Sequence, residues 1–296
     1  KTYKYFTISI LISLSFHSQA QFRKYSNEFL NIGAGARGLA MGSAQAASTK
    51  DGTAGYWNPA GLINVHTNTQ VNLMHSVYFA GIGKYDFANV TIPTANQKNA
   101  LGVTALRFAV DDIPNTLFLV EPDGTINYNN ISTFSSVDYG FLLSYARKLK
   151  SAENKNVNFG INAKVIHRGV GSFAKAWGFG IDAGLQIQKR KWQFGIVGKD
   201  ITTTFNTWAF NFTDKEKEVL YLTKNDIPVK STELTSPRLV LAAAKSFSLS
   251  KKSNLLAEAN FDVTFDGKRN TIASFDPVSI DPKIGLEYSF RDIFFL

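Results

Sequence analysis

From about residue 137 the chain alternates apolar and polar positions with a period of two. In 137–149 the odd positions are Val137, Tyr139, Phe141, Leu143, Tyr145, Arg147 and Leu149, and the even ones Asp138, Gly140, Leu142, Ser144, Ala146 and Lys148. In 157–165, Val157, Phe159, Ile161, Ala163 and Val165 alternate with Asn158, Gly160, Asn162 and Lys164. The same alternation returns at 177–188, 254–263 and 283–290. Successive side chains of a strand point to opposite faces, so each segment predicts a strand with one apolar face and one face rich in Gly, Asn, Asp and Lys. Weaker segments at 70–80, 84–93, 100–110, 192–200 and 238–249 bring the expectation to about ten strands of ~9–14 residues, a length suited to crossing a bilayer at a tilt. No segment shows a sustained helical period, though part of 26–65 has room for helix.

The expected connections sort by length. Turns at 94–99, 150–156, 189–191 and 250–253 are short, whereas 111–136, 202–236 and 266–281 are long. With the N-terminus in the periplasm, strand parity puts all of those short turns there and all the long loops outside. Outer-membrane barrels show that asymmetry, and a soluble sandwich has no reason to. The expected fold class is therefore all-β, a transmembrane antiparallel β-barrel. A spanning barrel must close, because an unpaired edge in hydrocarbon leaves backbone groups unsatisfied. About ten strands, ending in the apolar run Ile293-Phe294-Phe295-Leu296, read as a barrel lacking its C-terminal strands.

The first residues read as a signal peptide: Lys1 and Lys4, an apolar stretch over 8–16, and Ser18-Gln19-Ala20 before Gln21. The apolar stretch is too short to span a bilayer as a helix. The expected division is a signal over 1–20, a plug segment over 21–68 and an incomplete barrel over 69–296. The chain has no cysteine, which excludes disulfides and lipid attachment through an N-terminal cysteine. A formal charge of +9 on an exported chain suits anionic membrane surfaces or acidic partners. Nucleic acid is not expected, since the lysines are dispersed and no basic helix is visible. Outside the signal a metal site would rest on His66, His75 and His167 with carboxylates, and no metal or cofactor is expected. His167, Arg168 and Ser172 lack the elbow motif of a hydrolase, and no enzyme activity is expected. Asp111-Asp112 opens a long loop and reads as solvated.

The densest information lies between Gly33 and Leu62. Glycine recurs at 33, 35, 38 and 42 and alanine at 34, 36, 40, 44, 46 and 47, and the segment closes on Trp57-Asn58-Pro59-Ala60-Gly61. Gly33-Ala-Gly35-Ala-Arg37-Gly38 matches the dinucleotide fingerprint in letters, with Asp51 at a tolerable distance. The βαβ unit that gives the fingerprint its chemistry is missing. Small residues instead permit close packing against a wall. Asn58-Pro59-Ala60-Gly61 predicts a turn, because proline fixes its own φ and biases Asn58 to extended geometry.

A compact small-residue segment ahead of a barrel resembles the N-terminal plug of the FadL-like superfamily. The run from Phe29 through Gly33, Gly35, Arg37, Gly38 and Gly42 to Ala44 is most similar to the PorV/PorQ family of Bacteroidetes outer membranes. The resemblance implies fourteen strands, with Trp57, Asn58, Pro59 and Gly61 leading from plug to first strand. It implies a non-enzymatic partner or shuttle of the type IX secretion system, in contact with outer-membrane lipid, secretion components and cargo. Its rival is the superfamily's other branch, transporters of hydrophobic small molecules. The lumen discriminates: an apolar pocket favours transport, a polar, plugged lumen a partner protein. Asp138, Lys164, Asp182, Lys199, Glu258 and Asp262 are expected to face it and to form ion pairs and hydrogen bonds with each other or with the plug. Tyr139, Tyr145, Trp177, Trp192 and Tyr288 are expected on the apolar faces near strand ends.

Overall fold

A computed structural model describes residues 21–22, 26–65, 69–152, 155–228, 230–291 and 293–296. The expected signal over 1–20 and His66 lie outside them. The fold is all-β: one barrel-like antiparallel sheet that is not closed. Its strands are β1 (Gln21–Phe22), β2 (Gln70–Tyr78), β3 (Gly83–Pro93), β4 (Asn99–Asn115) and β5 (Ser132–Ala152). There follow β6 (Lys155–Val170), β7 (Ala174–Lys189), β8 (Trp192–Lys199), β9 (Thr204–Phe210) and β10 (Lys230–Thr235). The last are β11 (Arg238–Ser248), β12 (Ser253–Thr264), β13 (Ala273–Ser274), β14 (Ser279–Phe290) and β15 (Phe294–Phe295).

From β2 to β8 each strand pairs with its sequence neighbour. β7 then carries two partners along its length: β8 against 183–189 and β9 against 174–179. β11 pairs with β8, and β10 with β9. Thus β8 and β9 form one wall strand broken at 200–203, and β10 and β11 form another broken at 236–237, where Pro237 removes a donor. The segment 202–236 is therefore not the open loop that the sequence suggested. It extends the wall, with a helix, Asp214–Leu222, set into the hairpin connection. The alternation Thr204, Asn206, Trp208 against Phe205, Thr207, Ala209 carried the strand signal, and its shortness hid it. The expected loop over 111–136 also shrinks, because β4 runs on to Asn115 and β5 starts at Ser132 across a bulge between Val110 and Ile113. At 17 and 21 residues these two strands outrun the expected lengths.

The long connections share one end of the sheet, together with the short ones at 79–82 and 171–173. The opposite end has only short turns, at 94–98, after Ala152, at 190–191 and at 249–252.

Polarity across the wall runs opposite to that of a water-soluble core. Leu73, Leu143 and Ile284 stand on the outer face at 78%, 60% and 74% exposure. Buried on the inner face are Asn89, Thr91, Thr104, Asn162, Asn206 and Glu258. What fills the inside is the chain ahead of β2. β1 pairs in parallel with Glu233–Leu234 of β10, at the end with the long connections. Asn64 meets Gln186, near the short-turn end where β2 begins. The segment 26–65 thus runs through the depth of the sheet. β2 starts at the short-turn end, as strand parity requires, but Gln21 lies at the other end.

The helix Asp214–Leu222 owes its start to a capping box. The Thr213 hydroxyl accepts from the Glu216 amide at 3.3 Å, and the Thr213 amide donates to the Glu216 carboxylate at 2.6 Å. Thr213→Ala should cost this helix about 1 kcal/mol. Amide hydrogen exchange over 217–222 should accelerate while that of β9 stays unchanged.

Candidate functional site

The plug has little regular structure: a short helix Ala36–Ala40, a single turn Ala54–Trp57 and a 3-10 segment Pro59–Asn64. Its backbone is nonetheless buried, and buried N–H and C=O groups need partners. Turns and short helices within the plug pair a large share of them, and side chains of the wall supply others. Gln186 of β7 donates to the carbonyls of Ala47 (2.7 Å) and Thr49 (2.9 Å). Glu258 of β12 accepts from the Ala47 amide at 2.8 Å. Asn162 of β6 donates to the Gly55 carbonyl, and Gln70 of β2 accepts from the Gly52 amide, both at 2.9 Å.

The plug also braces itself. The indole of Trp57 donates to the Ala34 carbonyl at 2.8 Å and packs edge-on to Tyr56. The Tyr56 hydroxyl donates to the Leu30 carbonyl and accepts from the Gly33 amide. Burial pushes this hydroxyl well above the ordinary phenol range. Gly35 has φ +81°, in the region that favours glycine, and its amide reaches the Met74 sulfur at 3.3 Å. A Cβ on Gly38 would lie 2.6 Å from the Trp57 ring. Gly33 packs against Leu39, and Gly61 against Thr49.

Asn58 is the hinge between plug and wall. Its backbone is extended, as the following proline favours, and its side-chain oxygen caps the Ala60 amide. Its amide group donates to the Ala46 carbonyl in the plug and the Leu185 carbonyl in β7. Pro59 and Ala60 press on Gly160 of β6, where there is no room for a Cβ.

The plug touches both open edges of the sheet. Gly35 meets β2 through Met74, and two residues on Arg37 binds Glu287 of β14 at 2.6 Å. The Gly42 backbone lies against the Ile284 carbonyl of the same strand.

The remaining inward charges fall into separate groups. Lys164 pairs with Asp182 at 2.9 Å and Asp200 at 2.6 Å, and Asp182 also accepts the Asp200 amide at 2.8 Å. This triad fixes the break between β8 and β9. Asp138 takes a two-pronged bond from Arg168, which lies over the Trp208 ring. Asp262 holds Lys283 at 2.8 Å and Arg238 at 3.6 Å. Lys199 instead places its ammonium 4.8 Å from the Tyr56 ring centre. Of the six charges named from the sequence, Lys164 with Asp182 is the one pair that meets directly; Glu258 and Lys199 address the plug. Arg168, Glu233 and Asp200, which were not among the expected lumen charges, complete the network. Asp200 lies at the last position of the strand expected over 192–200, just past the observed end of β8 at Lys199.

Cavities flanking Lys199 and Arg238 measure about 40 and 30 Å³. At about 10–15 Å³ per water-sized sphere, each admits a few waters. Among the described residues no group of three metal-ligating side chains converges. Asp111 binds Lys84 at 2.8 Å. Compared with protein-family models and with curated proteins, the sequence matches none.

Gly160→Val should drive the Asn58–Ala60 turn off β6, at a cost of about 1–3 kcal/mol for overpacking. Limited proteolysis should then cut within 45–65, while β5, β6 and β7 stay protected. Unchanged protection of the plug would show that the turn does not depend on this contact.

Proposed function

We propose that this chain is an outer-membrane β-barrel of the PorV/PorQ type, a non-enzymatic partner or shuttle for type IX secretion cargo and its surface attachment. The observation that carries the reading is the use made of the inward polar side chains. Gln186, Glu258, Asn162 and Gln70 are bound to plug backbone, and the charges close on one another or on Tyr56. A lumen so occupied supports a protein that works through its rims and long connections rather than by passing solutes. The apolar outer face supports residence in a bilayer, where strands present apolar groups to lipid. No helix among the described residues is long and apolar enough to cross a membrane, so any crossing belongs to the strands.

The alternative is a FadL-like transporter of hydrophobic small molecules. What favours it is the apolar cluster of Trp57, Tyr85, Phe87, Leu106 and Leu142, where plug meets β3–β5. That cluster is filled by the plug itself, so transport would require the plug to move.

Topology and function can be tested separately. In the proposed orientation, single cysteines at Asn129, Lys224 and Lys268 should react with an impermeant thiol reagent on whole cells, and one at Lys155 should not. Labelling at Lys155 alone would invert the orientation.

A deletion strain complemented with Gly160→Val should insert the barrel yet lose surface-anchored cargo, with uptake of hydrophobic compounds unchanged. Normal cargo display with altered uptake would favour the transporter.

A further inference from the structure

Away from the strand ends, where Lys84, Arg147, Lys175 and Lys245 also face outward, the ionisable groups of the outer face gather in one cluster. His75 of β2, Asp86 of β3, Arg107 of β4 and Tyr139 of β5 occupy successive positions of one register row. All four point outward. The His75 ring nitrogen lies 2.7 Å from Asp86, whose other oxygen accepts from Arg107 at 3.0 Å. The row continues as an aromatic stack: Tyr139 lies parallel to His167, and His167 packs on Trp177 with ring centres 4.3 Å apart. Ionisable groups on a wall that faces lipid are costly and mark sites by default.

Directly toward the short-turn end, the next row reads Leu73, Ala88, Ala105 and Phe141. The two alanines lie between larger neighbours and leave a groove of about 480 Å³, bounded above by the polar row. Ligand sites commonly span roughly 300–1,000 Å³ and combine apolar lining with a few placed polar groups.

We propose that this groove holds one acyl chain of a membrane glycolipid, with its sugar on the His75–Asp86–Arg107–Tyr139 row. The inference rests on the bilayer reading given above. The pairing of Asp86 with Arg107 decides the headgroup. Each cancels the other's charge, so the row offers donors and acceptors side by side without a net field for a purely anionic or cationic head. Neighbouring hydroxyls of a sugar match that arrangement, because a carboxylate accepts and a guanidinium donates in planar, two-pronged fashion. Tyr139 and the exposed Trp177 add ring faces against which a sugar ring packs. The acyl chain lies over Ala88 and Ala105, the only register pair of small residues in the groove floor.

The test uses the whole chain in nanodiscs of phosphatidylethanolamine with a minor fraction of monogalactosyl diacylglycerol. Native mass spectrometry then reads which lipid stays bound on release. The galactolipid should be retained one to one on the unaltered protein. Ala105→Phe, which fills the groove, should reduce retention about tenfold, equivalent to about 1.4 kcal/mol. Asp86→Asn with Arg107→Gln keeps the net charge and the groove, and should lose selectivity for galactolipid over phosphatidylethanolamine. Ala163→Phe, outward on β6 beyond the groove, controls for folding and should retain the lipid. Equal retention in Ala105→Phe, or phosphatidylethanolamine retained in the galactolipid's place on the unaltered protein, would overturn the proposal. A chain that fails to enter nanodiscs in any form overturns the bilayer reading, and this inference with it.

Discussion

An irregular backbone enclosed by a wall has little water to bond with. The buried amides and carbonyls of the plug need partners, and its turns and short helices pair only part of them. The wall solves this with side chains that imitate backbone groups. Amides on β2, β6 and β7 and a carboxylate on β12 reach in and bond peptide units directly. Once that demand is recognised, the polar inner face is a structural requirement of the plug. Mutual dependence follows. Removing the plug would leave amides and a carboxylate facing a void, and replacing those side chains by apolar ones would strand the plug's peptide groups.

The same economy governs the charges. Lys164 sits between two carboxylates where β8 gives way to β9, and the triad braces the bend at 200–203 together with its backbone bonds. Removing one partner of a buried pair is far more damaging than its net contribution suggests, because the other charge remains buried. Arg37 does similar duty at the opposite side, tying the plug to β14 two residues after Gly35 touches β2. The plug is thus a spacer and clasp for the sheet's two open edges as well as a filling.

Much of the fold was legible. Strands with one apolar face repeat with a period of two, and 137–188 satisfies it almost without interruption. The all-β character therefore followed from alternation, and the sorting of loop lengths with the leader pointed it to a barrel. β9 and β10 were missed because each is short and each adjoins a break, Asp200–Thr203 for one and Pro237 for the other. The helix at 214–222 was also passed over, although Thr213 and Glu216 spelled its capping box; its weak amphipathicity gave no periodic signal. Alternation assigns a residue to a face and says nothing of what it meets there. Glu258 and Gln186 look alike as inward polar residues, yet their partners lie 211 and 139 positions away in the plug. Lys199 looked like one more lumen cation, and only the placement of the Tyr56 ring distinguishes it. The outward row of His75, Asp86, Arg107 and Tyr139 is invisible without register, since each residue alone is one polar position on its strand.

The route of the N-terminal segment ties it to strands far along the chain. Its first paired residues lie beside β10, and its last join β2 at the far end of the sheet. Between them it is held from several sides, with Pro59 against a glycine of β6 and Met41 against a glycine of β14. The strands wrap a segment that touches them from one end of the sheet to the other, so that the early part of the chain serves as the mandrel about which the later parts are wound.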